Sequence, residues 1–365
     1  MNPVGQEWLL PDSLWWDGRL QTGVALGPRR ATSAGVASGA VASGAVASRG
    51  VALGGAVFGS VQAGRDVAPI GDVPASAARR RIPGTVLAGL CDAHVHSALV
   101  ELSTVWAGGI SSVWDLGGVP AKVAAVAACG TPAVRFAGPF LIAPGGYPSD
   151  RAWTPAGSCR EVRSAADAAE AVGEARAGGA TLIKVTAHAG GPLLSDATLA
   201  AVVDAAHGAG LPAVVHAEGP GTVAAAYAAG ADYLAHTPWT ETLDEGLIRA
   251  AAARMTWIST LDIHGWGGAA PEQDVAIDNL RRFLAYGGQV RYGTDLGNGP
   301  LPPGVNPREI RALQEAGLTP DQVLTAMTEQ DAEPGWVPGG LDLDPTRFAD
   351  VLATARVVGP EVQPR

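Results

Sequence analysis

From Ile82 onward the chain alternates short apolar runs with alanine-rich stretches, separated by turns of Gly, Pro and Asp. That alternation is the βαβα signature of a parallel sheet with helices packed against it. Candidate strands fall at 86–96, 111–115, 133–137, 182–186, 213–216, 233–236, 256–261 and 290–295. Helical stretches lie between most of them, at 165–177, 196–208, 222–229, 243–253 and 273–286. Eight βα units over roughly 230 residues match the size of a TIM (β/α)8 barrel. A doubly wound sheet is the competing architecture, but it normally opens its first helix with a Gly-rich turn, and none follows the first strand here. Two more helices are expected at 307–317 and 320–328, and a strand at 348–358.

Before the barrel pattern begins, residues 13–82 read as short strands and turns. Trp15-Trp16 runs into an Asp17-Gly18 turn, as in a hairpin. A small repeat follows, with GAVAS at 39–43 and again at 44–48, inside a low-complexity Ala/Gly/Ser/Val expansion over 35–61. Its glycines argue against a helix. The expected organisation is therefore a small β-sandwich-like domain from residues 1–82, a barrel over 83–335, and a C-terminal return to the β-domain over 336–365.

Charge and cysteine content narrow the function classes. A formal net charge of −10 leaves no basic surplus to neutralise phosphates, which excludes nucleic acid and an acidic membrane surface as partners. Three cysteines without a CxxC spacing argue against a disulfide framework. No basic segment followed by an apolar core opens the chain, and the apolar stretch 36–61 is too weakly hydrophobic to span a bilayer. These readings point to a cytoplasmic protein with a small-molecule substrate, and leave homo-oligomerisation open.

In a TIM barrel the active site gathers at the C-terminal ends of the strands. His94 and His96 close the first candidate strand, and their i, i+2 spacing puts both imidazoles on one face, half of a transition-metal site. His216 closes the fifth strand, His236 the sixth and Asp295 the eighth, and Lys184 interrupts the fourth between Ile183 and Val185. A buried ammonium is costly unless neutralised or paired. Lys184 either snorkels to the strand end or carries CO2 as a carbamate, a reaction closed to arginine. Only Lys122 and Lys184 are lysines in a chain that otherwise uses arginine. Asp92, deeper in the first strand, suits a supporting role. The long connection 138–162 reads as a substrate lid, with Tyr147 and Arg151 as its contact residues. His188 and His264 are candidates to touch substrate, His207 belongs on an outer helix face, and Arg291 faces into the barrel.

This set resembles the amidohydrolase superfamily, in the branch that holds imidazolonepropionase-like and Xaa-Pro-dipeptidase-like enzymes. The phrases that carry the likeness are GISSVWDLGG, GATLIKV, AHGAGLPAVVHAEG, GADYLAH, YGTDLG and GLTPDQVLTAMTEQDA. The resemblance implies a metal-dependent hydrolase of C–N bonds with two divalent ions, zinc by default. One ion would take His94, His96 and Asp295, and the other His216 and His236. Carbamylated Lys184 and a hydroxide would bridge them, and Asp295 would serve as general acid/base. The same scaffold acting on lactones, esters or phosphotriesters is the first alternative, and a non-catalytic metal-binding barrel the second. Glu218 lies two residues after His216, where some deaminases of the superfamily carry their Glu at three. It is therefore expected to support the site and not to shuttle protons.

Overall fold

A computed structural model of the chain describes residues 7–29 and 64–359, so the GAVAS repeat and the whole expansion over 35–61 lie outside the described residues. Five strands come first: β1 (Trp8–Trp16), β2 (Arg19–Thr22), β3 (Val24–Arg29), β4 (Arg65–Pro69) and β5 (Arg79–Leu87). Asp17 and Gly18, at φ 52° and 73°, form the left-handed two-residue turn that joins β1 to β2. The next strands are β6 (Gly89–Val95), β7 (Ile110–Asp115), β8 (Ala133–Phe136), β9 (Phe140–Ile142) and β10 (Cys159–Glu161). Then follow β11 (Ile183–His188), β12 (Ala213–Glu218), β13 (Tyr233–Leu234), β14 (Thr256–Ile258) and β15 (Gln289–Arg291). Three short strands, β16 (Thr328–Glu329), β17 (Gly335–Val337) and β18 (Arg356–Val357), end the chain.

The first five strands and the last two make one mixed seven-stranded sheet in the order β18-β17-β5-β1-β3-β4, with β2 on β1. It is a single hydrogen-bonded sheet, not two separate ones, and both ends of the chain contribute to it. Leu9, Leu14, Trp16, Leu26, Ile82 and Val86 form its apolar core.

The site-bearing strands are parallel and fall in two sheets, β10-β9-β11-β12-β13-β14-β15 and β6-β7-β8, the latter edged by antiparallel β16. Backbone hydrogen bonds connect the two at both sides. Thr181 N donates to Phe136 O, while Ala93 N donates to Tyr292 O and Leu296 N to His94 O. The connecting helices, among them Ala165–Ala177, Asp196–Gly208 and Pro271–Ala285, turn Val172, Val202, Ile277 and Phe283 inward to one large core. This is an α/β protein. Among the described residues no helix is long and apolar enough to cross a membrane.

Four local expectations are corrected. The strand expected over 86–96 is two strands in different sheets, because the chain changes sheets at Ala88-Gly89. A Cβ on Gly89 would lie 2.5 Å from Ala332 Cβ and 2.6 Å from Glu333 O, so only glycine lets the chain pass there. The third expected strand ends at Phe136, and a separate strand follows in the other sheet, since β8 pairs with β7 and β9 with β11. The connection 138–162 therefore contains strands, with β10 laid parallel to β9. Finally, Phe348–Leu352 is a helix, and only Arg356–Val357 is strand. Phe348, Ala349 and Leu352 are buried at helical spacing, which an alternating strand could not achieve.

Candidate active site

Each expected ligand is held by the strand it follows. Asp92, in β6 and fully buried, accepts from the backbone N–H groups of His94 and Thr294, both at 3.0 Å, and from Thr294 Oγ1 at 2.6 Å. One carboxylate thereby ties the strand of His94 to the residue before Asp295. Asp295 itself sits at φ 58°, a left-handed backbone that aims its side chain back over the strand ends.

His94 Nδ1 lies 2.8 Å from Ala235 O, and His96 Nδ1 lies 3.1 Å from Gly117 O. A carbonyl oxygen only accepts, so both rings carry a hydrogen on Nδ1 and present Nε2 to the interior. Those two nitrogens lie 3.1 and 3.2 Å from Asp295 Oδ1. His94 Nε2 and Asp295 Oδ1 are both buried and hydrogen-bonded to nothing. Two facing acceptors without a proton between them are a cavity built for a cation. Burial drives the pKa of His94 and His236 well below the ordinary imidazole value. His96 moves upward instead: burial works against its charge, but the Asp295 carboxylate facing its ring outweighs burial.

The His236 ring is 4.6 Å from that of His94 and 5.0 Å from that of His216. Its Nδ1 meets Thr260 Oγ1 at 2.9 Å. His216 Nε2 donates to Glu218 Oε2 at 3.0 Å, and His188 Nδ1 lies 2.9 Å from the same oxygen. Ligand atoms therefore gather in two groups, His94/His236/Asp295 and His188/His216/Glu218. Lys184 is 2% exposed, and burial pushes its pKa down to about 7 against the pull of Asp295 and Asp115. A substantial fraction of its amine is neutral near pH 7, the form that reacts with CO2.

A cavity of about 590 Å³ opens over these groups and brings together His94, His96, Lys184, His216, His236 and Asp295. Tyr147, Arg151 and His188 line it as well. The Tyr147 ring stacks on His188 and His216, each at 4.8 Å, and Thr186 Oγ1 anchors the loop by donating to Tyr147 O. His264 is not in the lining. It packs behind Trp239 at 5.1 Å, and burial lowers its pKa to about 4. His207 is on an outer helix and pairs with Asp232, and Arg291 forms an ion pair with Glu329 at 2.7 Å. A second cavity, of about 700 Å³, lies at the start of β13, β14 and β15 and contains none of the ligand groups.

Sequence reading passed over four residues at the site. Asp115 closes β7 and accepts from Ser97 N and Gly117 N, which brings the Gly117 carbonyl to His96. The rule that a polar residue closing an apolar strand is special would have found it. Thr260 and Trp153 lie in loops, where no periodicity marks them. Asn298 follows Asp295 and donates to its Oδ2 at 2.9 Å, a local contact with no signal in the sequence.

A buried cluster of imidazoles, one carboxylate and a lysine at the ends of parallel strands defines an amidohydrolase-type enzyme. The comparisons agree: residues 85–333 match the family model described as "Amidohydrolase family", and the chain belongs to that family. No curated protein matches the sequence. Among solved structures, the fold is similar to the ochratoxinase of A. niger, with TM-score 0.71 and 16% identity over 95% of this chain and 92% of that one. It is similar to a Xaa-Pro dipeptidase with bound methionine, at TM-score 0.66 and 17% identity over 96% and 97% of the two chains. A molinate hydrolase gives TM-score 0.68 and 15% identity over 99% and 97%.

Proposed function

We propose that this enzyme hydrolyses a C–N bond in a cyclic amide, amidine or dipeptide-like substrate at a centre for two divalent ions. His94, His96 and Asp295 would hold one ion and His216 and His236 the other, with carbamylated Lys184 between them. The reading rests above all on the bare, buried contact of His94 Nε2 with Asp295 Oδ1 at 3.1 Å. The nitrogen-and-oxygen donor set suits zinc. When bound, such ions polarise a scissile carbonyl and lower the pKa of water.

The remaining work falls to the chain. Asn298 holds Asp295 Oδ2 and leaves Oδ1 facing the cavity, placed to take a proton from the attacking water and return it to the leaving nitrogen. Tyr147 and Arg151, carried on the connection above the cavity, are the proposed substrate contacts, with His188 beneath them and His264 a reserve contact behind Trp239. The dipeptide-like class is supported by the likeness to a Xaa-Pro dipeptidase. Closure of the two parallel sheets into a (β/α)8 barrel belongs to the same proposal, supported by the hydrogen bonds that join them at both sides. So does the division near residues 82 and 335, with β5 carrying the chain across the first.

Elemental analysis should find close to two transition-metal ions per chain, and one or none would refute the binuclear reading. Lys184→Ala should lose nearly all turnover and recover part of it with short carboxylic acids. The substrate class is decided by screening metal-loaded enzyme against cyclic amides, Xaa-Pro and N-acyl amino acids, lactones, esters and phosphotriesters. Turnover confined to the last three would replace the C–N assignment.

A further inference from the structure

The four histidines are oriented by two different kinds of partner. His94 and His96 are each fixed at Nδ1 by a main-chain carbonyl, that of Ala235 and that of Gly117. The strand ladder holds the first carbonyl, since Ala235 N donates to Val215 O, and the second is braced by the buried carboxylate of Asp115, which accepts from Gly117 N. A main-chain carbonyl survives any side-chain substitution, so neither partner can itself be deleted, although Asp115 helps to place the second. His216 and His236 are instead fixed by side chains, Glu218 and Thr260.

Those side chains also differ in what they enforce. A carboxylate only accepts, so Glu218 places the hydrogen of His216 on Nε2 and leaves Nδ1 as the free donor atom. That is the opposite nitrogen from the one His94 and His96 offer. A hydroxyl accepts or donates with equal ease, so Thr260 does not lock His236 in either tautomer. Thr260 also sits at φ 45°, a left-handed conformation that a β-branched residue adopts only under strain. Glu218, with 29% of its side chain exposed, is shared further, since His188 Nδ1 lies 2.9 Å from the same oxygen. Arg151 Nη2 in turn approaches His188 Nε2 at 3.5 Å. The support of His216 thus runs outward to the loop over the cavity mouth. That of His94 ends in the backbone, and that of His96 in a main-chain carbonyl braced by buried Asp115.

We infer that the two halves of the centre are unequal: the His94/His96/Asp295 half is rigidly preorganised, whereas Glu218 and Thr260 are positioning residues that set the strength of the His216/His236 half. This inference rests on the binuclear reading above and concerns the order in which the ions are held. Partners that orient a metal-ligating histidine typically carry about 10- to 100-fold in metal affinity.

The test is a chelator titration of the holoenzyme, following ion release and not turnover. Wild-type protein should release its two ions in two steps. Glu218→Ala and Thr260→Ala should each weaken the looser step about 10- to 100-fold and leave the tighter one within about twofold. Thr260→Ser should restore it, because serine keeps the hydroxyl, and circular dichroism with thermal melts establishes that each variant is folded. Equal weakening of both steps, or no change in either, overturns the inference. A wild-type protein with only one ion refutes the binuclear reading separately. In that case, an ion insensitive to Glu218→Ala would support the asymmetry, and an ion lost with that change would refute it.

Discussion

Asp92 is the residue whose removal best separates architecture from chemistry at this site. It touches no ligand atom of the cluster, yet its two oxygens take two backbone N–H groups and one hydroxyl in a fully buried position. Asp92→Ala strands both N–H groups where water cannot reach. Each buried unsatisfied donor costs about 1–3 kcal/mol, partly offset because a buried carboxyl is no longer desolvated, for a net loss of about 3 kcal/mol. That is more than 100-fold in the folding equilibrium, at about 1.4 kcal/mol per factor of ten. Asp92→Asn should behave differently. Its amide oxygen keeps both N–H groups, its NH2 donates to Thr294 Oγ1, and the loss should stay under about 1 kcal/mol. Urea denaturation of the metal-free protein at one fixed pH measures both, with unchanged m-values marking a pure stability effect. The alanine variant should also retain less metal, because Thr294 no longer pins the neighbouring Asp295. Equal costs for Asn and Ala, or an Ala cost below about 1 kcal/mol, would refute the hydrogen-bond accounting.

Glu309, fully buried, accepts from Leu261 N at 2.9 Å and Asp262 N at 2.8 Å, and burial raises its pKa from 4.5 to about 7. The folded chain binds that proton more tightly than the unfolded one. Its contribution is therefore complete below pH 4.5 and is lost as pH rises through about 7, a fall of about 3 kcal/mol. Glu309→Gln should flatten that slope, and an identical wild-type-minus-variant difference on both sides of the window would show that Glu309 does not titrate there. Gly293→Ala would place a Cβ 2.4 Å from Ile258 Cγ2 and 3.1 Å from His94 Cβ. Overpacking of this kind should cost about 1–3 kcal/mol and lower metal retention, and an unshifted melting temperature would contradict it. Asp295→Asn should bind some metal but lose turnover, so a near-normal kcat removes it as the proton carrier. Trp153, 43% exposed at the cavity mouth, should on change to Ala raise KM with little effect on kcat or stability. A fall in kcat alone would place it elsewhere in the cycle.

The chemistry of the site was legible in the sequence because each ligand breaks a rule. Lys184 inside LIKVT, and His216 and His236 at the ends of apolar runs, are polar groups where a buried strand should have none. Their cost must be met by function. The same logic reaches Asp115. It does not reach Thr260, which sits in irregular backbone where polar residues are ordinary, and it marks Glu218, at the end of β12, only as a supporting residue, because its hold on His216 exists only through the ring it touches. Element boundaries failed for a related reason. The run through Val86, Leu87, Leu90 and Val95 is uniformly apolar, and nothing in its periodicity reports that Gly89 carries it from one sheet into another. At Phe348 the apolar residues suit either period, and packing decided for a helix.

The central place of β5 in the mixed sheet bears on how the chain is made. One edge of β5 is satisfied early, by β1. The other waits for β17, whose residues leave the ribosome only after every ligand of the active site has been synthesised. During that interval β5 offers an unpaired edge, the feature that invites pairing with another chain. Arg79, Arg80 and Arg81 form the first third of β5, and like charges on an open edge discourage such pairing. The arginine run thus sits on the part of β5 that β17 does not cover, while β17 itself closes the strand only over Thr85–Leu87.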